Sequence, residues 1–325
     1  MNIGAEIRPV KRKVVMNHYE KSEIDRVLSR TFELSSAALT QGGKERPENK
    51  DAVFEHTTQA DSGECVGLYI VCDGFGDNEM EHTASQLAIQ TIVAELGRVF
   101  AVIDSQADPA LTQPSPFTLY EWLRTAVGQA NEKVWLCNQL QHLIDEAVLG
   151  TTLTLALIHG DIVRIANVGD SRTYVWRAGE LTQITRDHSV ITELAEAGFL
   201  SEAEAANYPR NKTICRALGP QLGVEVDMFE WKLQTGDKLL LCSDGLWRSF
   251  PETTELNDWL SANMPPEDLC WQLVAEASYR DDFDDISVVI VQAADQPKHY
   301  LEEAAQAYEP LFTETAVPIS ATIVS

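Results

Sequence analysis

Histidine is scarce in this chain of 325 residues: there are seven, and none stands beside Asp51, Asp73, Asp244 or Asp284. A zinc centre built on imidazole is therefore a poor expectation. Cysteine is sparse as well. The six thiols, at 65, 72, 137, 215, 242 and 270, include no pair at two-residue spacing, which removes zinc-knuckle and redox-pair readings. Cys72 and Cys242 lie inside apolar runs, where a thiol acts as a small core residue. No apolar run approaches the roughly 20 residues that a bilayer span needs, so no membrane partner is expected. Met1 to Arg30 is charged throughout and lacks a signal-peptide core, which points to a cytoplasmic protein. Positive charge is thin: 25 Lys and Arg stand against 50 Asp and Glu, a formal net charge of -25. So acidic a surface repels phosphate backbones and argues against nucleic acid as a partner. Acidic excess more often serves solubility than function, but carboxylates forced together can also be relieved by a cation.

What is present fits a globular chain with a substantial core. Hydrophobic residues make up 44% of the sequence and charged residues 23%, ordinary proportions for such a protein. Residues 1–30 read as a charged N-terminal extension. A first strand is expected at Phe32–Ser35 and a second at Ala52–Glu55, with a polar loop from Thr40 to Lys50 between them. A third ends at Cys72. Apolar residues at three- to four-residue spacing predict helices over Glu79–Phe100 and about Thr118–Asp145. Strand-like runs follow at Gly150–Ile158, Ile162–Val168 and Thr173–Trp176, the first two close enough for a hairpin. Residues 187–218 break into short helical pieces, with capping-box spacing at Ser201 to Glu204. Strands resume before Asp244. A helix over Pro265–Tyr279 and a strand over Ile286–Gln292 close the domain, and the tail carries a short helical stretch at Tyr300–Tyr308. Strands that succeed one another without crossover helices imply antiparallel sheets. The expected fold class is α+β: a four-layer αββα sandwich, two antiparallel sheets flanked by helices.

Two strand-like runs end in the same way. Gly67-Leu68-Tyr69-Ile70-Val71-Cys72 meets Asp73-Gly74, and Lys238-Leu239-Leu240-Leu241-Cys242-Ser243 meets Asp244-Gly245. Asp51 precedes one short strand and Asp284 precedes another. A buried strand can deliver a carboxylate to a sheet end in this way, yet Asp-Gly after a strand is also a common turn. Gathered together, these aspartates would repel unless a hard divalent cation relieved them, and Mg²⁺ or Mn²⁺ takes oxygen ligands of this kind.

A set of ordered motifs sharpens the reading. Arg46-x-x-Asn49-x-Asp51, Val71-Cys72-Asp73-Gly74-x-Gly76, Gly150-Thr151-Thr152, Asn167-Val168-Gly169-Asp170-Ser171-Arg172, Thr185-x-Asp187-His188-Ser189, Leu241-Cys242-Ser243-Asp244-Gly245-Leu246-Trp247 and Asp284-x-x-Ser287-Val288-Val289 occur in this order. Together they resemble the metal-dependent protein serine/threonine phosphatases, the PPM or type 2C family, in its bacterial form. The resemblance covers residues 31–293, leaving 294–325 as a C-terminal tail. It implies two Mn²⁺ or Mg²⁺ ions at one end of the sandwich and hydrolysis of phosphoserine and phosphothreonine by metal-activated water. A phosphorylated protein is the implied substrate and a monomer is expected. Carried over by motif, Asp73 would bridge the ions, the Gly74 carbonyl would bind one, and Asp244 and Asp284 the other. Asp51 would hold metal-bound water, Arg46 would grip the substrate phosphate, and residues 187–218 would form the flap.

The sequence also departs from that pattern. Lys50 stands where the family usually has Glu or Gln, and Arg248 where many members have an Asp that helps Asp170 hold a third metal. Asp170 is thus open between a third-metal role and a turn role. Asp77-Asn78 replaces Gly-His, Phe75 leaves no histidine acid at its position, and Asp285 replaces Asn. A second functional reading follows: a regulatory module that keeps the fold and binds a phosphoprotein or partner without efficient turnover. His188 and Trp247 are expected to pack, and Arg172 to pair with an acid.

Overall fold

The computed structural model describes residues 32–44, 48–59, 64–76, 84–104, 116–141, 148–201, 204, 213–280 and 283–295. The N-terminal extension, Arg46, Asp77-Asn78 and the Tyr300–Tyr308 stretch lie outside the described residues.

The strands are β1 (Phe32–Gln41), β2 (Ala52–Gln59), β3 (Cys65–Cys72), β4 (Gly74–Phe75), β5 (Gly150–Thr151), β6 (Leu153–His159), β7 (Ile162–Val168), β8 (Arg172–Arg177), β9 (Glu180–Gln183), β10 (Asp227–Lys232), β11 (Lys238–Cys242) and β12 (Ile286–Asp295). The helices are α1 (Ala84–Asp104), α2 (Pro116–Gln141), α3 (Val190–Glu196), α4 (Asp244–Trp247), α5 (Thr253–Ser261) and α6 (Pro266–Arg280). One antiparallel sheet runs β1-β12-β11-β8-β9 and the other β10-β7-β6-β3-β2, with β4 and β5 as a separate two-stranded ribbon.

Alternation along β3 shows how the layers form. Leu68, Ile70 and Cys72 point into a core shared with α1 and α2, where Ala88, Ile92, Leu123 and Val134 are buried. Tyr69 and Val71, on the opposite face, meet Leu239, Leu241, Val289 and Val291 of the other sheet. A strand covered on both faces needs this unbroken apolar run, and burial of each such side chain is worth about 1.5–3 kcal/mol. A third core joins the outer face of the β11–β12 sheet to α5 and α6 through Leu240, Ile290, Leu260 and Leu273. The result is the αββα sandwich the sequence implied.

Several boundaries differ from the expectation. The polar loop expected from Thr40 starts later, because Thr40 and Gln41 still pair with Ser287 and Ile286 of β12. The run Gly150–Ile158 is two strands, not one. Thr152 leaves the ladder to bond Asp73, so β5 pairs with β4 and β6 with β3 and β7. Helix α5 and strand β9 escaped the sequence reading; both are short, and α5 buries only Leu256 and Leu260. Within 187–218, α3 is capped by the Ser189 side chain, and the Ser201–Glu204 box closes reciprocally: Ser201 donates its N–H to Glu204 while the Glu204 N–H donates to Ser201 Oγ.

Candidate metal centre and active site

Strand register brings the singled-out aspartates to one end of the sandwich. Ala52 pairs with Cys72, so Asp51 and Asp73 are neighbours just beyond the β2–β3 ladder. Cys242 pairs with Val288 in the facing sheet, which puts Asp244, after β11, and Asp284, before β12, at the same end. Asp170 follows β7 there too. Lys50, Asp73, Gly74, Asp170, Asp244 and Asp284 all line one cleft of about 910 Å³. Its other wall comes from residues 213–217 and 220–225, and includes Arg216, which donates to Asp227 at 3.0 Å.

The two Asp-Gly motifs are close approaches rather than plain turns. A Cβ at Gly74 would collide with the Lys50 carbonyl, and one at Gly245 with the Asp285 carbonyl. Glycine at each position lets the backbone that carries a further acid come against the strand end. Asp285 organises that backbone. It accepts from the Gly43 and Lys50 N–H groups, both at 2.9 Å, which ties those two backbone positions to the start of β12. From the sequence, Asp285 stood out only as a replacement for Asn. Asn49 accepts from the Asp51 N–H at 3.0 Å, and Ser85 donates to the Lys50 carbonyl. Thr152 fixes Asp73 from the other side: its N–H donates to the Asp73 carbonyl at 2.8 Å and its Oγ1 accepts from the Asp73 N–H at 3.0 Å. Asp285 and Thr152 both stood within quoted motifs, but their partners lie far away in sequence.

The electrostatics record crowding of like charge. Burial raises Asp73 well above the ordinary carboxylate range, and the charges of Asp51, Asp244 and Asp170 raise it further; Asp73 and Asp244 stand within hydrogen-bond reach of one another. Burial pushes Asp51 up to about 7, against the hydroxyls of Ser287 and Ser243 and with Asp285 and Asp244 adding to the rise. Ser287 spends its hydroxyl proton on Thr40, while Ser243 accepts from the Ser287 N–H and keeps its own O–H facing Asp51. Both Asp51 carboxylate oxygens are buried, with these hydroxyls near but no well-aligned hydrogen bond. Asp244 Oδ1 is buried without a partner as well. Asp170 is raised to about 7 by burial and by Asp244, with Arg248 pulling it back.

Buried carboxylate oxygens without donors are the chemistry that a hard divalent cation satisfies. The donor set of carboxylates and a backbone carbonyl therefore fits Mg²⁺ or Mn²⁺ rather than zinc. Among the described residues, no three His, Cys, Asp or Glu side chains already stand in a metal-binding arrangement. The acids are assembled as neighbours and are not drawn in to ligand distance.

Two basic side chains stand among them. Lys50 Nζ donates to the Gly76 carbonyl at 2.8 Å and lines the cleft. Arg248 pairs with Asp244 and Asp170. Arg172 pairs in a two-pronged manner with Asp187, at 2.9 and 2.7 Å, and lies 3.5 Å from the centroid of the Trp247 ring. Trp247 packs partly buried against the α5–α6 core. His188 is fully buried, accepts from the Gly169 N–H at Nδ1, and has Asp227 3.1 Å from Nε2. These three residues pack and pair as expected. Arg46 lies outside the described residues.

This fold, with an acidic cleft at one end, is that of the bacterial PPM serine/threonine phosphatases. The structure of the S. agalactiae serine/threonine phosphatase is 28% identical, with a TM-score of 0.66 over 80% of this chain and 99% of that one. The catalytic domain of PstP in complex with 2 manganese ions is 28% identical, with a TM-score of 0.63 over 82% and 100%. The serine/threonine phosphatase stp of Listeria welshimeri is 32% identical over 255 residues, 78% of this chain and 93% of that protein. Protein phosphatase PhpP of Streptococcus pneumoniae is 31% identical over 78% and 95%. The protein phosphatase 2C family pattern matches residues 45–270, and the chain belongs to that family of phosphoprotein phosphatases.

Proposed function

We propose that the chain hydrolyses phosphoserine and phosphothreonine in proteins at a dinuclear Mn²⁺ or Mg²⁺ centre within a phosphatase domain spanning residues 31–293. The observation that carries the reading is the set of buried carboxylate oxygens without aligned hydrogen bonds on Asp51 and Asp244, at the end of the sandwich where Asp73, Asp244 and Asp284 line one cleft. Asp73 would bridge two ions, with the Gly74 carbonyl on one and Asp244 and Asp284 on the other. Bound there, the ions supply an acidified water and a clamp for the phosphoryl oxygens.

The protein's own groups do the rest. Thr152 bonds the Asp73 carbonyl through its N–H and the Asp73 N–H through Oγ1, which fixes the backbone that carries the carboxylate. Asp285 and Asn49 hold the backbone at Lys50 and Asp51, which orients Asp51 toward the other acids, where it would hold a metal-bound water. Lys50, pinned to the Gly76 carbonyl, keeps a positive charge at the wall where an anionic substrate enters. Arg46 would grip the phosphate through paired N–H donors.

Hydrolysis of a phosphothreonine peptide with and without Mn²⁺ tests this. Turnover should require the metal and fall by roughly 10²–10³-fold or more in Asp244→Ala. Equal rates in EDTA, or in the variant, would remove the proposal. One observation favours a slower, binding-type module: Arg248 already engages Asp244 at 2.6 Å. Tight phosphopeptide binding without metal-dependent turnover would select that alternative.

A further inference from the structure

We infer that Arg248 is a tethered cation that takes the place of a metal ion at the Asp170–Asp244 edge, so that the chain binds two divalent ions and excludes a third. The inference rests on the dinuclear reading above and concerns its ion count.

The guanidinium spans both acids. Nη1 lies 2.6 Å from Asp244 Oδ2, and Nη2 lies 3.1 Å from Asp170 Oδ2. A Mg²⁺ ion on the same two oxygens would need about 2.0–2.1 Å to each, and Mn²⁺ little more. It would fall within the volume that the guanidinium fills, beside its like charge. The Asp170 and Asp244 side chains are only 6% and 9% exposed, so a second approach to those oxygens is largely closed. Asp244 divides its two oxygens between the two roles: Oδ2 faces Arg248, while Oδ1 has no partner and is left for the dinuclear centre.

The arginine is held in place. It follows α4 directly, four residues on from Asp244, so helical geometry carries its side chain back over that acid. Its guanidinium carbon lies 5.0 Å from the centroid of the Trp247 ring. Trp247 in turn donates its indole N–H to the Asp170 carbonyl at 3.0 Å, which fixes the Asp170 loop against the same helix. Arg172, clamped by Asp187, contacts that indole too. An exposed arginine would lose little by swinging away for an ion; this one would leave two buried carboxylates and an aromatic contact.

The test counts ions. Mn²⁺ bound per chain is measured by equilibrium dialysis with metal analysis on the full chain, Arg248→Lys, Arg248→Ala, and Arg248→Ala combined with Asp170→Asn. Two ions are expected for the full chain and for Arg248→Lys, three for Arg248→Ala, and two again in the double variant. Thermal melting checks folding and adds a readout: Arg248→Ala should melt lower without metal and gain more on Mn²⁺ addition than the unaltered chain. If Arg248→Ala does not fold, Arg248→Gln keeps the bulk without the charge and is judged by the same count. Two ions in the uncharged variant, or three in the unaltered chain, overturn the inference and leave the dinuclear reading intact. No ion in either overturns both.

Discussion

Asp51 holds both carboxylate oxygens in a buried, donor-poor setting, and this gives the metal-free protein a particular pH response. Burial raises its pKa to about 7, and Asp170 is raised to about 7 as well. In the unfolded chain each would ionise near 4. Between those values the folded protein holds protons that the unfolded chain has lost. The stability these groups contribute is therefore complete below pH ~4 and is lost as pH rises through about 7. In EDTA the melting temperature should fall between pH 5 and 8, and Asp51→Asn should flatten part of that fall. Saturating Mn²⁺ should shrink it, because the ions then neutralise the carboxylates of the dinuclear centre while Asp170 stays with Arg248. A melting temperature that rises across this range in EDTA would contradict the burial of Asp51. The acids themselves were legible in the sequence, because apolar runs end at Asp73 and Asp244 and begin just after Asp51 and Asp284. The role of Asp285 was not, since its acceptance of two backbone N–H groups depends on a loop more than 230 residues earlier in the chain.

At the scale of elements, the break between β5 and β6 matters more than either strand. The sequence Gly150–Ile158 has the composition of one continuous strand, and nothing local marks Thr152 as the point of departure. The break follows from a tertiary demand: the Asp73 carbonyl takes the N–H that Thr152 would otherwise give the ladder, and the Asp73 N–H bonds the Thr152 hydroxyl. Thr152→Val keeps the shape and removes the acceptor, leaving the Asp73 N–H unpaired and also removing the contact with Ser171 Oγ. It should cost about 1–3 kcal/mol in urea unfolding. It should also weaken Mn²⁺ binding, since the bridging acid loses its orientation. Unchanged stability and unchanged affinity would show that the break does not serve the site. The long helices were readable because their apolar residues repeat at helical spacing over many turns. Helix α5 was not, because nine residues offer too few repeats.

Across the whole molecule, the order of elements announced two antiparallel sheets between helices, and the three apolar cores confirm why that order suffices. Each sheet needs both faces covered, and the strand and helix patterns supply matching apolar surfaces. Convergence of the acids was less legible, because it depends on register. Pairing Ala52 with Cys72 and Cys242 with Val288 sets four separate chain segments level at one end, and no local pattern encodes that alignment. The motifs supplied it only through resemblance to a family. Crystals grown with Mn²⁺ and measured at a wavelength where manganese scatters anomalously test the centre most directly. Two anomalous peaks bridged by Asp73, with the Gly74 carbonyl, Asp244 and Asp284 around them and Arg248 still on Asp170, are expected. No peak at this end of the sandwich, or peaks held by other residues, would contradict the assignment.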